Sequence, residues 1–497
     1  ACTNLIVGKN ASADGSTIVS YSADSYGLFG ELYHYPAGMH KKGTLIDIHE
    51  WDTGKYLGQI AQARQTYNVI GNMNEFQLTI GETTFGGRPE LVDTTGIIDY
   101  GSLIYLGLQR SRTAREAIKV MTELVQEYGY YSGGESFTIA DPNEIWIMEM
   151  IGKGPGVRGA VWVAVRVPDD CISAHANQSR IHQFNMNDKE NCMYSPDVIS
   201  FAREKGYFDG VNKDFSFANA YAPLDFGARR YCEARVWSYF NMFTDRGNEF
   251  LPYILGETNT PMPLFVKPNR KVSVQDVKNA MRDHYEGTPL DISKDFGAGP
   301  YHTPYRLSPL SFKVGDREYF NERPISTQQS GFVFVAQMRS ELPDPIGGVL
   351  WFGTDDANMT VFTPVYCCTD KVPVCYTRVD GADYITFSWN SAFWIFNWVA
   401  NMVYPRYDLM MGDVRATQTE LETTFNEAQE GVEAAAAKLL EKDPAKAKAF
   451  LTNYTNMTAQ STFDTWKRLG EFLVVKYNDG VVKRMKNGQF ERNSIGQ

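Results

Sequence analysis

Strand-forming segments in this chain follow one another across short turns, with few helices between them, and that order limits the fold more than any other feature. Thr3–Val7 and Thr17–Ser20 are apolar and β-rich, and the Gly, Asn, Asp and Ser residues of Gly8–Ser16 predict a hairpin turn between them. Asn68–Gly71 and Phe76–Gly81 predict a second pair around Asn72-Met73-Asn74-Glu75. Phe137–Ala140 and Ile145–Glu149, joined by Asp141-Pro142-Asn143-Glu144, predict a third, followed by a strand at Val161–Val167. Strands return at Phe332–Gln337, Val349–Gly353 and Thr360–Val365. One helix interrupts the series. Thr113 and Glu116 form a capping-box pattern, Ile118, Met121, Leu124, Val125 and Tyr128 recur at helical spacing, and Gly129 suits the position after the last turn. The chain finishes in helices: Leu421, Phe425, Ala428, Val432, Ala435 and Leu439 make one apolar stripe, and Asp443-Pro444 stops that helix and starts another. The region from about 180 to 330 is polar and punctuated by Pro and Gly, and carries no assignment. Strands, a helix, strands, a mixed region, strands and final helices make an α+β chain, not an alternating βαβ one.

Composition narrows the function. The length of 497 residues allows roughly three domains or one large fold, enough to bury a core without staples. With 48 basic and 59 acidic residues the net charge is −11, a poor match to a phosphate backbone, so no nucleic-acid partner is expected. No run reaches the roughly 18 apolar residues of a spanning helix. The nearest, Phe393–Val403, is short and broken by Asn397 and Asn401. Gly152-Lys153-Gly154-Pro155-Gly156 lacks the last Gly of a dinucleotide fingerprint and the Lys-Ser/Thr end of a P-loop, so it reads as a turn. His34, His40 and His49 fit no common zinc spacing. No cofactor and no metal are expected.

Cys2 is the residue with chemistry to offer. An amino-terminal residue carries a free α-amine with a pKa of about 7.7–8, suited to a general base near neutral pH. A thiol on the same residue lies within reach of that amine, so one residue can supply nucleophile and base. Three other readings of Cys2 stand beside this one: a small apolar residue, the lipidated end of a lipobox after Ala1, and one half of a disulfide.

The segment Cys2-Thr3-Asn4-Leu5-Ile6-Val7-Gly8-Lys9, followed by Ala13-Asp14-Gly15-Ser16-Thr17, resembles the mature start of the C69 dipeptidases. These are N-terminal-nucleophile hydrolases related to penicillin V acylases and bile salt hydrolases. Further blocks resemble that family in order: Asn74-Glu75 leading to Gly81-Glu82-Thr83-Thr84, then Gly134–Asp141, Ser173-Ala174-His175-Ala176-Asn177-Gln178, Arg323-Pro324-Ile325-Ser326 and Gly347–Trp351. The resemblance spans residues 2 to about 405. It implies a four-layer αββα sandwich over 1–405, with 406–497 as a helical extension packed on it. It also implies hydrolysis of dipeptides through a thioester acyl-enzyme, with small peptides as partners and a homo-oligomer as the assembly. Carried over residue by residue, Cys2 is the nucleophile and its amine the base. Asp24 orients amine and thiol, and Asn177 stabilises the oxyanion. Arg235, with Arg230 as fallback, is the later site arginine. Thr83 gives a second oxyanion donor through its backbone N–H, with Glu82 as the alternative from the same block. The bland readings are a turn Asp, a loop-capping Asn, a surface ion pair and strand-end packing.

Two departures accompany the resemblance. Tyr21 stands where family members often place Arg, so a permanent positive charge is missing there. Ala1 precedes Cys2, and while it is attached the Cys2 nitrogen is an amide with no useful basicity. A small Ala before the nucleophile suits a signal peptidase, so an exported protein, periplasmic or extracellular, is expected once Ala1 is removed. Hydrolysis of N-acyl amides on the same fold, and a non-catalytic surface lipoprotein anchored at Cys2, are the rival functions. His175 sits inside the Asn177 block and gives no papain-like pair with Cys2. Cys367, Cys368 and Cys375 are buried thiols or, in an exported protein, partners in a disulfide. Trp389, Phe393, Trp394, Phe396 and Trp398 read as core or a subunit interface.

Overall fold

The computed structural model describes residues 2–496. It is a mixed α/β molecule with two large antiparallel sheets and a long helical region near its C-terminus. The first sheet has six strands in the order Ile172–His175, Asn4–Val7, Thr17–Asp24, Ser330–Met338, Val349–Thr354 and Thr363–Tyr366. The turn-rich Gly8–Ser16 closes the hairpin expected there, with Ile6 opposite Val19 and Val7 opposite Ile18. The other edge of the first strand pairs with Ile172–His175, placing Asn4 opposite His175. The second sheet has eight strands, in the order Cys192–Tyr194, Ala160–Arg166, Ile145–Gly152, Gly134–Ala140, Thr79–Gly86, Met73–Asn74, Val69–Ile70 and His34–Tyr35.

The strands Thr17–Asp24 and Ser330–Met338 of the first sheet and Gly134–Ala140 and Ile145–Gly152 of the second are buried along their whole length, which requires cover on both faces. Side-chain alternation sorts the second sheet's residues between two cores. Trp146, Met148 and Met150 pack with Leu103, Leu106, Ile118 and Met121 of the helices Tyr100–Arg110 and Ala114–Tyr128. Ile145, Ile147 and Ile151 join the core that contains Leu5, Val19 and Phe334 of the first sheet. Polar bonds also cross between the sheets: Asn4 Nδ2 donates to the Glu82 carbonyl at 2.9 Å, and Thr138 Oγ1 to Asn4 Oδ1 at 2.8 Å. Helices Ala234–Phe243, Val274–Ala280 and Pro444–Lys476 pack against strands of the first sheet.

Several elements differ from the sequence expectation. The loop expected at 72–75 contains a short strand, Met73–Asn74, that pairs with Val69–Ile70 and with Thr79, so two strands become three. The third strand of the last group begins at Thr363, not Thr360. The helix Tyr100–Arg110 was not anticipated; Asp99 caps it and also accepts from the Trp51 N–H at 2.8 Å. The Thr113 cap forms as expected, but Glu116 reaches the Arg112 N–H and not that of Thr113, so the capping box is half made. The expected apolar stripe of the long helix Tyr407–Lys442 is only partly the buried face, whose buried positions include Gln418, Glu422 and Glu433. Glu422 binds Arg282 through both oxygens at 2.9 and 2.6 Å, and Glu433 binds Arg339 at 2.6 and 2.7 Å. The described residues do not finish in a helix: Val482–Lys486 and Gln489–Gly496 form a hairpin around Asn487-Gly488, both at positive φ as a tight hairpin turn requires.

Phe396 stacks on Trp466 at 4.6 Å, so part of the aromatic stripe is core against the last long helix, while Trp389 remains half exposed. Cys367, Cys368 and Cys375 are free, buried thiols. No helix among the described residues is long and apolar enough to cross a membrane. His34 bonds Asn68, His40 bonds Thr66 and His49 packs on Tyr56, so the three do not converge.

Candidate active site

Cys2 immediately precedes the first sheet's Asn4–Val7 strand and lines a cavity of about 550 Å³ together with Tyr21, Asp24, Glu82, Asn177 and Arg378. Its backbone is fixed at both ends of the residue. The Cys2 N–H donates to Asn177 Oδ1 at 2.8 Å, and the Cys2 carbonyl accepts from Arg235 Nη1 at 2.7 Å. Arg235 also donates to Thr3 Oγ1 at 2.9 Å, to the Ala176 carbonyl at 3.2 Å and to Asn177 Oδ1 at 3.0 Å. Asn177 therefore has its oxygen turned to two donors, which fixes the orientation of its amide. Its Nδ2 donates to the Thr84 carbonyl at 2.8 Å, leaving one amide hydrogen. Asn177 adopts φ 68°, a left-handed conformation that Asn tolerates better than most residues.

The loop carrying Asn177 is held from below by Glu149, a buried strand residue. Its carboxylate accepts from Ser179 at 2.6 Å, from the Arg180 N–H at 2.8 Å and from the Ile181 N–H at 3.0 Å. Arg180 then pairs with buried Glu233 at 3.1 Å, one residue before the helix that bears Arg235. Burial, then the neighbouring Arg323, draws the Arg235 guanidinium down to about 10, still charged at neutral pH. Of the two arginines considered from sequence, Arg235 reaches Cys2, while Arg230 pairs with Glu322.

Asp24 lies at the end of the second strand, and its carboxylate is held by Arg323 at 2.5 Å, by Ser330 at 2.5 Å and by Ser22 at 3.1 Å. Thr83 lies on the Thr79–Gly86 strand, but its hydroxyl is engaged with His175 Nδ1 at 2.7 Å, whereas its neighbours Glu82 and Thr84 line the cavity. His175 is closed in by Thr83 and Thr138, the latter at 2.6 Å from Nε2. Burial, then Arg180, lowers its pKa to about 3, so it is a neutral structural imidazole and supplies no base to the thiol.

Sequence reasoning named Glu82 only as an alternative oxyanion donor and did not anticipate that Glu82, Glu135 and Asp52 gather on one side of the site. The Tyr21 hydroxyl lies 3.9 Å from the Cys2 sulfur and donates to Glu82 Oε1, a bond that crosses from one sheet to the other. Glu135, on the neighbouring strand, stands beside Glu82. Burial, and then the Glu82 carboxylate, holds the Glu135 carboxyl well above the usual range. Asp52 accepts from the Tyr100 hydroxyl at 2.7 Å, and both residues line the cavity. The available signal was an acidic residue within an otherwise apolar or hydroxyl-rich strand, as in Gly81-Glu82-Thr83-Thr84 and Gly134-Glu135-Ser136. Burial, and next the Glu82 charge, pushes the Cys2 thiol up to about 12. At neutral pH the resting sulfur is therefore protonated and needs a base at the moment of attack.

A larger cavity of about 700 Å³ lies against the long helix and is lined by Arg282, Asp283, Arg415 and Glu422. No thiol lines it, and Arg282 and Glu422 neutralise each other there. Among the described residues no group of three His, Cys, Asp or Glu is placed to hold a metal. Ala1, on which the expectation of processing rests, lies outside the described residues.

A family model described as peptidase family C69 matches residues 1–34 and 29–420. A probable dipeptidase of Salmonella dublin is 30% identical over 394 residues, covering 74% of this chain and 81% of its own. A probable dipeptidase of Latilactobacillus sakei is 26% identical over 474 residues, covering 91% and 90%. Dipeptidase A of Lactobacillus helveticus is 24% identical over 416 residues, covering 79% and 80%.

Proposed function

The chain belongs to peptidase family C69, and from that premise we propose that it is a cysteine dipeptidase whose nucleophile is Cys2, acting with its own α-amine once Ala1 has been removed. One observation carries the reading: the nitrogen and the carbonyl of Cys2 are clamped by Asn177 and Arg235 while its sulfur opens on the cavity. A free amine at that nitrogen keeps the bond to Asn177 Oδ1 with one hydrogen and retains its lone pair for the thiol proton. The amine accepts that proton as sulfur attacks the peptide carbonyl carbon. The remaining Asn177 amide hydrogen is the donor assigned to the developing oxyanion. Thr83 has its hydroxyl committed to His175, so any part it takes falls to its backbone N–H. Collapse of the tetrahedral intermediate breaks the C–N bond, and the ammonium returns its proton to the leaving amino acid. Water, deprotonated by the same amine, then cleaves the thioester and restores the thiol.

The packing of the two sheets with helices outside them supports the αββα sandwich of N-terminal-nucleophile hydrolases, with 406–497 as an extension on the 1–405 unit. Export to the periplasm or exterior, with signal-peptidase cleavage exposing Cys2, and a homo-oligomeric assembly belong to the same proposal. Cys2→Ser is expected to lower kcat by about 1000-fold or more, and a variant that retains Ala1 to lose turnover to a similar extent. Dipeptide hydrolysis at the full rate by either protein contradicts the mechanism.

A further inference from the structure

The walls of the Cys2 cavity do not balance electrically. Of the carboxylates lining it, Asp24 is paired with Arg323, and Arg378, the cation among its lining residues, is paired with Glu31 at 2.9 Å. Glu82, Asp52 and Asp383 also line it, and none of the three has an ion-pair partner among the described residues. Glu82 is 1% exposed, its Oε1 accepts from Tyr21, and its side chain shares a hydrogen bond with a second carboxyl, Glu135, which brings no positive charge. A buried carboxylate with no cation is costly unless something supplies the missing charge. Its place relative to the sulfur is informative. In a peptide with a free amino terminus the ammonium nitrogen is two bonds from the first carbonyl carbon, about 2.5 Å away. A sulfur poised for attack lies about 3–3.5 Å from that carbon. The ammonium must then sit within a few ångströms of Sγ, and Glu82 stands one hydrogen bond beyond the Tyr21 hydroxyl, which is itself 3.9 Å from Sγ.

We propose that Glu82, held by Tyr21 and flanked by Asp52 and Tyr100, is the site that receives the free α-ammonium of the dipeptide substrate. The inference rests on Cys2 being the nucleophile of a dipeptidase, and it adds how this cavity tells a dipeptide from an N-acyl amide. Each carboxylate already holds one tyrosine hydroxyl and keeps acceptor capacity for a second donor. An N-acyl amide whose acyl group lacks an α-ammonium brings no charge to this wall and leaves Glu82 uncompensated, so the acidic wall selects against such substrates.

The test compares alanyl-alanine with propionyl-alanine, which differs by the ammonium alone, on the processed enzyme. The wild-type kcat/KM is expected to favour alanyl-alanine by about 100-fold or more. Glu82→Gln should lower kcat/KM for alanyl-alanine by about 10-fold or more and change propionyl-alanine much less, so the preference collapses. Asp52 is exposed on its loop, so Asp52→Asn should fold normally, and it should narrow the preference in the same direction by a smaller factor. A wild-type enzyme that cleaves both substrates equally well overturns the proposal. So do variants that lower both rates together, since a merely structural role predicts that pattern. If no dipeptide is turned over, the underlying dipeptidase reading fails. The ammonium site is then read separately, from binding of the two compounds to Cys2→Ala protein, where equal affinities overturn it.

Discussion

The two sheets meet at Cys2 and furnish the cavity with walls of different electrostatic character. On the first sheet's side of the cavity, the charged side chains nearest Cys2 are partnered. Asp24 has Arg323, Glu233 has Arg180, and Arg235 spends its donors on the Cys2 and Ala176 carbonyls and the Asn177 amide. On the second sheet's side, Glu82, Glu135 and Asp52 have no ion pair among the described residues, and two of them are buried strand residues. A partnered wall holds geometry, because its interactions are complete before any ligand arrives. An unpartnered one stores a penalty that only protonation or a cationic ligand relieves. The first fits the fixing of a nucleophile and the second fits the choice of what binds beside it.

The contrast can be broken by mutation. Arg323→Ala leaves Asp24 buried without its cation, so a loss of about 3–5 kcal/mol in unfolding free energy is expected from denaturant titration. A loss below about 1 kcal/mol would mean that the first wall does not depend on its pairing. The smaller effect lies on the other wall. Glu135 has a folded-state pKa well above its unfolded value of 4.5. Its protonated form is favoured in the folded protein, so its contribution to stability is present below pH 4.5 and is lost as pH rises through the folded pKa. Glu135→Gln cannot ionise and escapes that loss. The melting temperature of Glu135→Gln relative to wild type should therefore rise as pH is raised from about 4.5 toward neutrality. A difference that is flat or falls with pH would show that Glu135 is ionised and partnered in the folded state.

Much of this arrangement was legible in the sequence where local chemistry and fold agree. Gly8–Ser16 has the residues of a turn, and the hairpin that follows Cys2 forms there. Thr113 and Gly129 bound a helix at Ala114–Tyr128 as their capping chemistry requires. Other parts depend on contacts between distant segments. The helix Tyr100–Arg110 was hidden by its glycines, and at Gly101 a Cβ would come within 2.4 Å of Trp51, so tertiary packing selects the residue against its helix propensity. The long helix reads as apolar by its period, yet Glu422 and Glu433 lie deeper than Ala435 because Arg282 and Arg339 meet them from the core. Asn177 and Arg235 came from resemblance alone, since nothing local places residues 58 positions apart on one amide oxygen. Glu82 and Glu135 lay inside recognisable blocks, but two acids 53 positions apart announce a shared site only when the strands pair, with Glu82 opposite Phe137 and Thr84 opposite Glu135.

The central claim is that the residue clamped by Asn177 and Arg235 attacks the substrate through its sulfur, with its own amine free. Rapid acid quench of the working enzyme with a dipeptide, followed by digestion and mass spectrometry of the N-terminal peptide, reads both parts of it. The account predicts a peptide that begins at Cys2 and carries the acyl mass of the substrate's first residue as a hydroxylamine-sensitive thioester. An acyl mass on any other peptide, or a fully active enzyme whose N-terminal peptide still begins at Ala1, would contradict it.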